Sequence, residues 1–175
     1  YNYDGYGNRV GVTDALGHTT SATYDSGGRQ LSQTDALGQT TSYAYDVNGN
    51  RTKVTDARNN ATSYAYDALN RLTSVTDALS GVVTYTYDAN GNRTSLKDAN
   101  NHTTTYAYDA LNRQTSVTDP LGQVTAYGYD AVGNRTTLTK PDGAVLSYAY
   151  DAANRLTGTT YPGGSIAYTY DVANR

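Results

Sequence analysis

Hydrophobic and polar residues alternate in short stretches along the chain. In the segment TTSYAYD, the side chains of Thr41, Tyr43 and Tyr45 fall on one face of an extended strand, and the smaller side chains between them fall on the other. Thr and Tyr both favour β-strands. The pattern therefore predicts a β-strand that ends just before Asp46.

The segment RLTSVTD, which follows the next strand of this kind, is predicted to be its antiparallel partner. It does not alternate regularly, because Leu72 and Val75 are three residues apart and cannot share a face on a regular strand. We therefore expect either a β-bulge in this strand or burial on both of its faces.

Aspartates divide these strands at a fixed interval. One series, in Tyr-Asp pairs, has a spacing of 21 residues that shortens to 20 at the last step: Asp4, Asp25, Asp46, Asp67, Asp88, Asp109, Asp130, Asp151 and Asp171. A second series keeps the same period until Lys140 replaces the aspartate: Asp14, Asp35, Asp56, Asp77, Asp98 and Asp119. Two turns in each 21 residues leave room for two strands of about six residues.

These intervals predict an all-β protein of tandem 21-residue β-hairpins, with roughly sixteen to eighteen strands in an antiparallel sheet. We expect turn centres near Asn48–Gly49, Leu69–Asn70, Leu37–Gly38 and Leu121–Gly122, because Gly and Asn tolerate the positive φ of tight turns. Residues 1–175 are interpreted as a single array of about eight repeats, which we expect to continue beyond both ends.

The loops after the Tyr-Asp pairs alternate between a longer form, such as VNGNR, and a shorter form, such as ALNR. The next strand compensates, since the Arg precedes the following aspartate by five residues after a long loop and by six after a short one. This alternation favours a 42-residue double repeat, whose two turn geometries would give successive hairpins a different tilt. In both forms, the Arg is predicted to pair with the aspartate before the turn.

Composition restricts the classes of function. All 16 acidic residues are Asp and all 19 aromatic residues are Tyr, while Cys, Met, Trp and Phe are absent. Asp can bond to its own backbone two residues ahead and Glu cannot, so the aspartates are predicted to be turn residues. A net charge of -3 argues against a nucleic-acid partner. No apolar run is long enough to predict insertion into a membrane.

The motif YxYDxxGNR, followed by TDPLG at the 21-residue period, resembles the YD repeat of the RHS (rearrangement hotspot) family. That family includes polymorphic toxins, toxin-complex shell subunits, wall-associated surface proteins and teneurins. The resemblance implies a long curved or spiralling sheet of hairpins, forming a shell or a fibre at the cell surface or outside the cell. It implies a non-enzymatic, structural role, with further copies of the repeat and an encapsulated polypeptide as partners.

We predict no catalytic residues and no cofactor. A catalytic pair of carboxylates needs two different environments, whereas these aspartates recur in the same setting. His18 and His102 occupy a position that carries Gln, Asn or Gly in other repeats, so neither is predicted to be a base or a ligand.

We also predict no metal site. The segments DVNGN and DANGN, from Asp46 and Asp88, place oxygen-bearing side chains at the first, third and fifth positions, as a calcium loop does. However, the sixth position is Arg and the twelfth is Ala57 or Ala99, where a calcium loop needs Gly and Glu. A hairpin turn capped by Asp is the better interpretation.

The tyrosines are the remaining candidates for function. All but Tyr6 and Tyr161 belong to the YxYD register, which predicts a row of aromatic rings on one face of the sheet. Such a row can be the packed face that supplies most of the buried apolar area. It can also be an exposed platform that stacks sugars, which is the alternative hypothesis of a glycan-binding adhesion module.

Overall fold

A computed structural model describes residues 1–171 and 173. This part of the chain contains 17 β-strands and no helix, as the sequence predicts. The strands are β1 (Asn2–Tyr3), β2 (Arg9–Thr13), β3 (Thr19–Tyr24), β4 (Gln30–Thr34), β5 (Thr40–Tyr45), β6 (Arg51–Thr55), β7 (Ala61–Tyr66), β8 (Leu72–Thr76), β9 (Val82–Tyr87), β10 (Arg93–Lys97), β11 (Thr103–Tyr108), β12 (Gln114–Thr118), β13 (Val124–Tyr129), β14 (Arg135–Thr139), β15 (Val145–Tyr150), β16 (Leu156–Tyr161) and β17 (Gly164–Ala167).

Each strand pairs in antiparallel fashion with the strands before and after it in sequence, which makes a 17-stranded meander. The contacts divide the chain into two units. The first comprises Tyr1–Tyr85 with Asp98–Asn100, and the second comprises Thr86–Lys97 with the chain from Asn101 onward. The same hairpins are repeated within each unit.

Two kinds of turn alternate along the chain, one at each end of the strands. We call those that begin at the aspartate of a Tyr-Asp pair the YD turns. Those that begin at the second series of aspartates, or at Lys140, are the TD turns. All four predicted turn centres fall within these turns, and Gly49, Asn70, Gly38 and Gly122 have positive φ.

Hairpins closed by YD turns contain a β-bulge. In the hairpin of β7 and β8, Ala65 pairs with Ser74 but Tyr66 pairs with Leu72, so Thr73 is the extra residue. The bulge turns Leu72 to the same face as Val75, which pairs with Tyr64. The prediction of an irregular strand here is therefore confirmed. The hairpins closed by TD turns run in regular register.

The two faces of the sheet differ in the size of their side chains. The tyrosine face carries the YxYD tyrosines and the residues that pair with them, such as Val54 opposite Tyr43. The small-residue face carries mainly Ser, Thr, Ala and Gly, for example Ala65 opposite Ser74. Neither face is covered by a second layer within the described residues, which contain no fully buried hydrophobic side chain.

The accessible surface of 11332 Å² reflects this single layer. A compact protein of 18.7 kDa would expose about 8300 Å². The tyrosines between Tyr24 and Tyr150 are half-buried by one another and by their neighbours along the sheet. The expected packed tyrosine face therefore shields its rings in part but does not form a core.

Candidate functional site

Each YD turn is organised by the carboxylate of its first residue. Oδ1 of Asp67 accepts hydrogen bonds from the backbone N–H groups of Leu69 (2.9 Å) and Arg71 (3.0 Å). The backbone N–H of Asn70 donates to the carbonyl oxygen of Asp67 at 3.0 Å, and Asn70 has a φ of 61°. A longer Glu side chain could not make the first of these short-range bonds with the same geometry. The predicted role of the aspartates as turn residues is confirmed.

The long and the short loops have the same backbone geometry, so the two geometries predicted from their lengths are wrong. In the long loop, Asp46 N–H donates to Asn50 O (2.9 Å) and Gly49 N–H donates to Asp46 O (3.1 Å), as the equivalent residues do in the turn of Asp67. The apparent length difference arises because the Arg follows the five-residue turn in the long form and is its fifth residue in the short form.

The fifth residue of the turn decides how neighbouring YD turns are joined. When it is Asn50, its Nδ2 donates to Asp46 Oδ2 (2.9 Å) and to Oδ1 of Asn70 in the next YD turn (2.7 Å). Asn92 makes the same two bonds, to Asp88 and to Asn112 in the next YD turn, and Asn134 donates to Asn154 at 2.9 Å. The turns of Asn50, Asn92 and Asn134 therefore bond forward through a side-chain amide, whereas Asn8 bonds to Asp4 of its own turn and lies beside Gly28 of the next.

When the fifth residue is Arg, the link has a different chemistry. Nε of Arg113 lies 2.7 Å from Asp109 Oδ2, and a terminal nitrogen of its guanidinium donates to the backbone carbonyl of Asp130 at 2.8 Å. The guanidinium also lies 4.8 Å from the centre of the Tyr129 ring. The predicted pairing of Arg with Asp is confirmed for Arg29, Arg71, Arg113 and Arg155.

The same pairing is wrong for Arg51 and Arg135, which follow long loops. The strands beginning at Arg51 and Arg135 place these side chains on the tyrosine face, where Arg51 pairs with Tyr45. Asparagine occupies the turn position beside the aspartate instead, and its amide makes the bond that the Arg was expected to make. The signal that distinguishes the two classes of Arg is the distance from the turn aspartate, because the Arg is the fifth residue of the turn in one class and follows the turn in the other.

The second tyrosine of most YxYD motifs links its hairpin to the preceding one. The hydroxyl of Tyr66 donates to the carbonyl oxygen of Arg51 at 3.0 Å, and that of Tyr45 donates to Gln30 O at 2.9 Å. The first tyrosine of the motif varies: the hydroxyls of Tyr43, Tyr64 and Tyr127 have no hydrogen-bond partner among the described residues, whereas those of Tyr106 and Tyr148 each accept a bond of 3.4 Å from an arginine.

Hydrogen bonds to the carboxylates lower the pKa of every YD aspartate from Asp4 to Asp151. For Asp67, the backbone N–H of Arg71 has the largest effect, and burial opposes it. For Asp46, the Asn50 amide has the largest effect in lowering the pKa. The ionised carboxylate is therefore the form that holds the turn together.

The residues considered for catalysis and metal binding lie in these turns. His18 Nδ1 is 2.9 Å from Asp14 Oδ2 in an exposed TD turn, and His102 occupies the equivalent exposed position. Both oxygens of Asp46 are engaged within the DVNGN turn. Residues 1–171 and 173 contain no group of three or more acidic or His side chains arranged to hold a metal ion. They also contain no helix of the length and hydrophobicity needed to cross a membrane.

No curated protein matches the chain significantly, but the fold has relatives among solved structures. A chain of the Photorhabdus luminescens Tc holotoxin pore is 19% identical, with a TM-score of 0.65, and the match covers 82% of this chain and 9% of that one. The TcdB2-TccC3 crystal structure without the hypervariable C-terminal region is also 19% identical, with a TM-score of 0.69 over 90% of this chain and 10% of its own. The present chain thus spans about a tenth of these relatives.

The sequence profile of the RHS repeat matches seven overlapping segments, which are residues 24–62, 45–81, 66–103, 87–123, 108–145, 139–166 and 150–175. Together these matches extend over most of the hairpin array. The chain belongs to the RHS repeat family.

Proposed function

We propose that this chain is a non-enzymatic structural segment of a secreted or cell-surface RHS protein, and that it forms part of a shell wall around a toxin or another polypeptide cargo. An extended surface fibre built from the same repeats is the closest variant of this role. Further copies of the repeat and the enclosed polypeptide are its partners. Residues 1–175 act as one array of about eight repeats within a longer protein.

The observation that carries this proposal is the hairpin-to-hairpin network. Each hairpin has little apolar surface to bury alone, because a two-stranded ribbon is only marginally stable. Tyr66 and the Asn50–Asn70 bond join successive hairpins in the first unit, and equivalent bonds recur along the array. Such repetition favours a surface that extends by addition of identical units. The similarity of fold to chains of Tc toxin complexes supports a wall.

A non-enzymatic role is supported by the use of the polar residues. The YD carboxylates recur in the same setting, and each of them is engaged in its own turn. A nucleophile or a proton-transfer pair would need at least one side chain with a distinct environment.

Electron microscopy combined with limited proteolysis of the natural protein containing this chain tests whether the repeats form a wall that encloses a polypeptide. We expect a closed shell, with one polypeptide segment that resists protease until the shell is opened by acid or denaturant. An open filament in which every segment outside the repeats is cleaved at the same rate would contradict enclosure and favour the fibre.

Exposure of the tyrosine face supports a second candidate, a glycan-binding adhesion module. The rings are half-buried on a face that has no covering layer in the described residues, and some of their hydroxyls have no partner. Binding of the chain to a glycan array, lost on replacement of Tyr64 and Tyr127 by Ala with the fold intact, would favour this role over the wall.

A further inference from the structure

We infer that copies of this array associate with one another, the TD turns of one copy packing against the YD turns of the next. These turns form two rows, one at each end of the strands, which we call the TD end and the YD end. The inference rests on the proposed function, in which further copies of the repeat are partners, and it names the surfaces through which the copies meet.

The TD end carries exposed leucines beside carboxylate oxygens that its own turns do not use. The third residue of four TD turns is a leucine that is more than four-fifths exposed, and these residues are Leu16, Leu37, Leu79 and Leu121. In the turns of Asp35, Asp77 and Asp119, Oδ1 accepts both of the backbone bonds. The Oδ2 atoms of these three aspartates accept no hydrogen bond from any residue that the structure describes. An aliphatic group and an available anionic oxygen are therefore repeated along this end.

The YD end carries leucines beside arginine side chains. Leu69 and Leu111 are the third residues of their YD turns and are 67% and 66% exposed, and the fifth residues of the same turns are Arg71 and Arg113. Arg113 uses Nε within its own turn and Nη1 in the link to the next turn, while its Nη2 makes no hydrogen bond with a described residue. A guanidinium group has five N–H donors, so it can bind a further carboxylate. This end therefore offers groups complementary to those of the TD end.

Charge favours contact between unlike ends over contact between like ends. Of the six TD turns that begin with Asp, five contain no Lys or Arg, and Arg58 belongs to the sixth. Every YD turn from Asp4 to Asp151 contains an Arg or is followed directly by one. Two TD ends would bring uncompensated carboxylates together, whereas a TD end against a YD end brings carboxylates to guanidinium groups.

The two ends also repeat at the same interval. Within the first unit, Asp35 and Asp77 are four strands apart, and so are Arg29 and Arg71. Antiparallel strands are spaced by about 4.8 Å, which makes both intervals about 19 Å. A partner that meets several leucine turns at once must have the same repeat distance, and another copy of the array has it.

Contact between two different surfaces of the same chain is heterologous, so each added copy leaves one end available for the next. The end of the first unit, which includes the eight strands β1–β8, is about 38 Å long and about 10 Å thick. Its area of about 380 Å² is about half of the ~800 Å² per partner that is typical of a stable complex. We therefore expect the association to need a high protein concentration.

Sedimentation equilibrium of the full chain and of two multiple variants tests the inference. The TD variant combines Leu16→Ser, Leu37→Ser, Leu79→Ser and Leu121→Ser, and the YD variant combines Leu69→Ser and Leu111→Ser. All six leucines are exposed, so we expect both variants to keep the original Tm. The original chain should form oligomers that grow with concentration, and each variant alone should associate about tenfold more weakly. An equimolar mixture of the two variants should form a dimer and nothing larger, because only the unaltered YD end of one variant and the unaltered TD end of the other can pair.

Substitutions that keep the leucines make the test decisive if a serine variant does not fold. In Asp35→Asn/Asp77→Asn, the amide oxygen can still accept the backbone bonds of the turn while the charge is removed, and association should weaken about threefold. The control Val145→Ser/Ile166→Ser removes exposed apolar side chains from the two faces of the sheet instead, and it should leave association within about twofold of the original.

Four outcomes would contradict the inference. A mixture that stays as dissociated as its components would overturn contact between unlike ends, and unchanged association of either variant would overturn the assignment of its end. An equal loss in the control would show nonspecific apolar association and overturn both surfaces. An original chain that remains monomeric at every concentration would overturn the inference alone, because the proteolysis experiment judges the wall independently.

Discussion

The YD turns and the TD turns have the same backbone but different surroundings. Asp67 and Asp77 each accept two N–H bonds at Oδ1 within a five-residue turn. Around Asp67, however, the Arg71 side chain adds an ion pair at 2.7 Å, and the Asp67 side chain is only 24% exposed. The Asp14 side chain, in another TD turn, is 50% exposed, and its partners Leu16 and His18 belong to the same turn.

This difference shows that closing a turn and joining neighbouring hairpins depend on different side chains. A single Asx-type turn closes both ends of the strands. At the YD end, the Asn or Arg of one turn and the tyrosine before the next also bond across to a neighbouring hairpin. The bulges lie at this same end, where the strand register changes and an aromatic hydroxyl satisfies a carbonyl group. We therefore expect stability to depend more on the YD end.

Acidification should produce the largest effect, because it acts on all YD carboxylates together. Their pKa values are lowered on folding, so the stabilisation is fully present above the ordinary Asp pKa of 3.8 and is lost as the pH falls through the lower folded values. Thermal melts between pH 7 and pH 2 should show a steady Tm above about pH 5 and a steep fall below about pH 4. An unchanged Tm at pH 2 would contradict this role of the carboxylates.

Replacement of Tyr66 by Ala should be the most damaging of the single substitutions considered. It removes a half-buried ring and the hydrogen bond to Arg51 O, at a cost of about 2 kcal/mol. Leu79, which is 92% exposed in a TD turn, is the matched apolar control, and Leu79→Ala should cost about 0 kcal/mol. Urea unfolding measures both changes. Equal losses of unfolding free energy in the two variants would contradict a greater contribution of the YD end to stability.

Alanine in place of the first turn residue compares the two kinds of turn directly. We expect Asp67→Ala to lower Tm by about 5 °C and Asp77→Ala by about 2 °C, because both lose the cap but only the first loses an ion pair to Arg71. Calorimetry of the two variants measures the difference. A larger effect at Asp77 would reverse the proposed order.

Lysine in place of arginine isolates the link between turns without changing the charge. Arg113→Lys should cost about 1 kcal/mol, because lysine cannot bond to Asp109 and the carbonyl of Asp130 with the same planar group. Arg58 lies in a TD turn, and its side chain makes no hydrogen bond or ion pair with any residue that the structure describes, so Arg58→Lys should be neutral. A matched loss of unfolding free energy at Arg58 would contradict the assignment of the link to the YD end.

Calcium should have no measurable effect on either end of the sheet. The oxygens of Asp46 already accept bonds from N–H groups of their own turn. Melting curves in EDTA and in millimolar calcium should therefore coincide. A calcium-dependent rise of several degrees would show that the DVNGN and DANGN turns rearrange to bind the ion.

Local signals made the repeated hairpins predictable. Strand alternation, the Asx turn and a positive-φ residue such as Asn70 each act within a few residues, and the spacing of Leu72 and Val75 indicated the bulge. The choice of partner for the fifth turn residue could not be predicted, because Asn50 bonds to a residue 20 positions away. Burial was overestimated because strand alternation is the same for a sheet with one layer or two.

The alternation of asparagine and arginine turns has a consequence for how such a gene can gain or lose repeats. Deletion of residues 109–129 would place Asn92 beside a turn whose fourth residue is Gly133, which has no side chain to accept its amide bond. Deletion of residues 109–150 would instead bring Asn92 to Asn154, an acceptor of the native kind. Recombination between copies should therefore preserve the array when it proceeds in steps of two hairpin repeats, and leave an unmatched junction when it proceeds in steps of one.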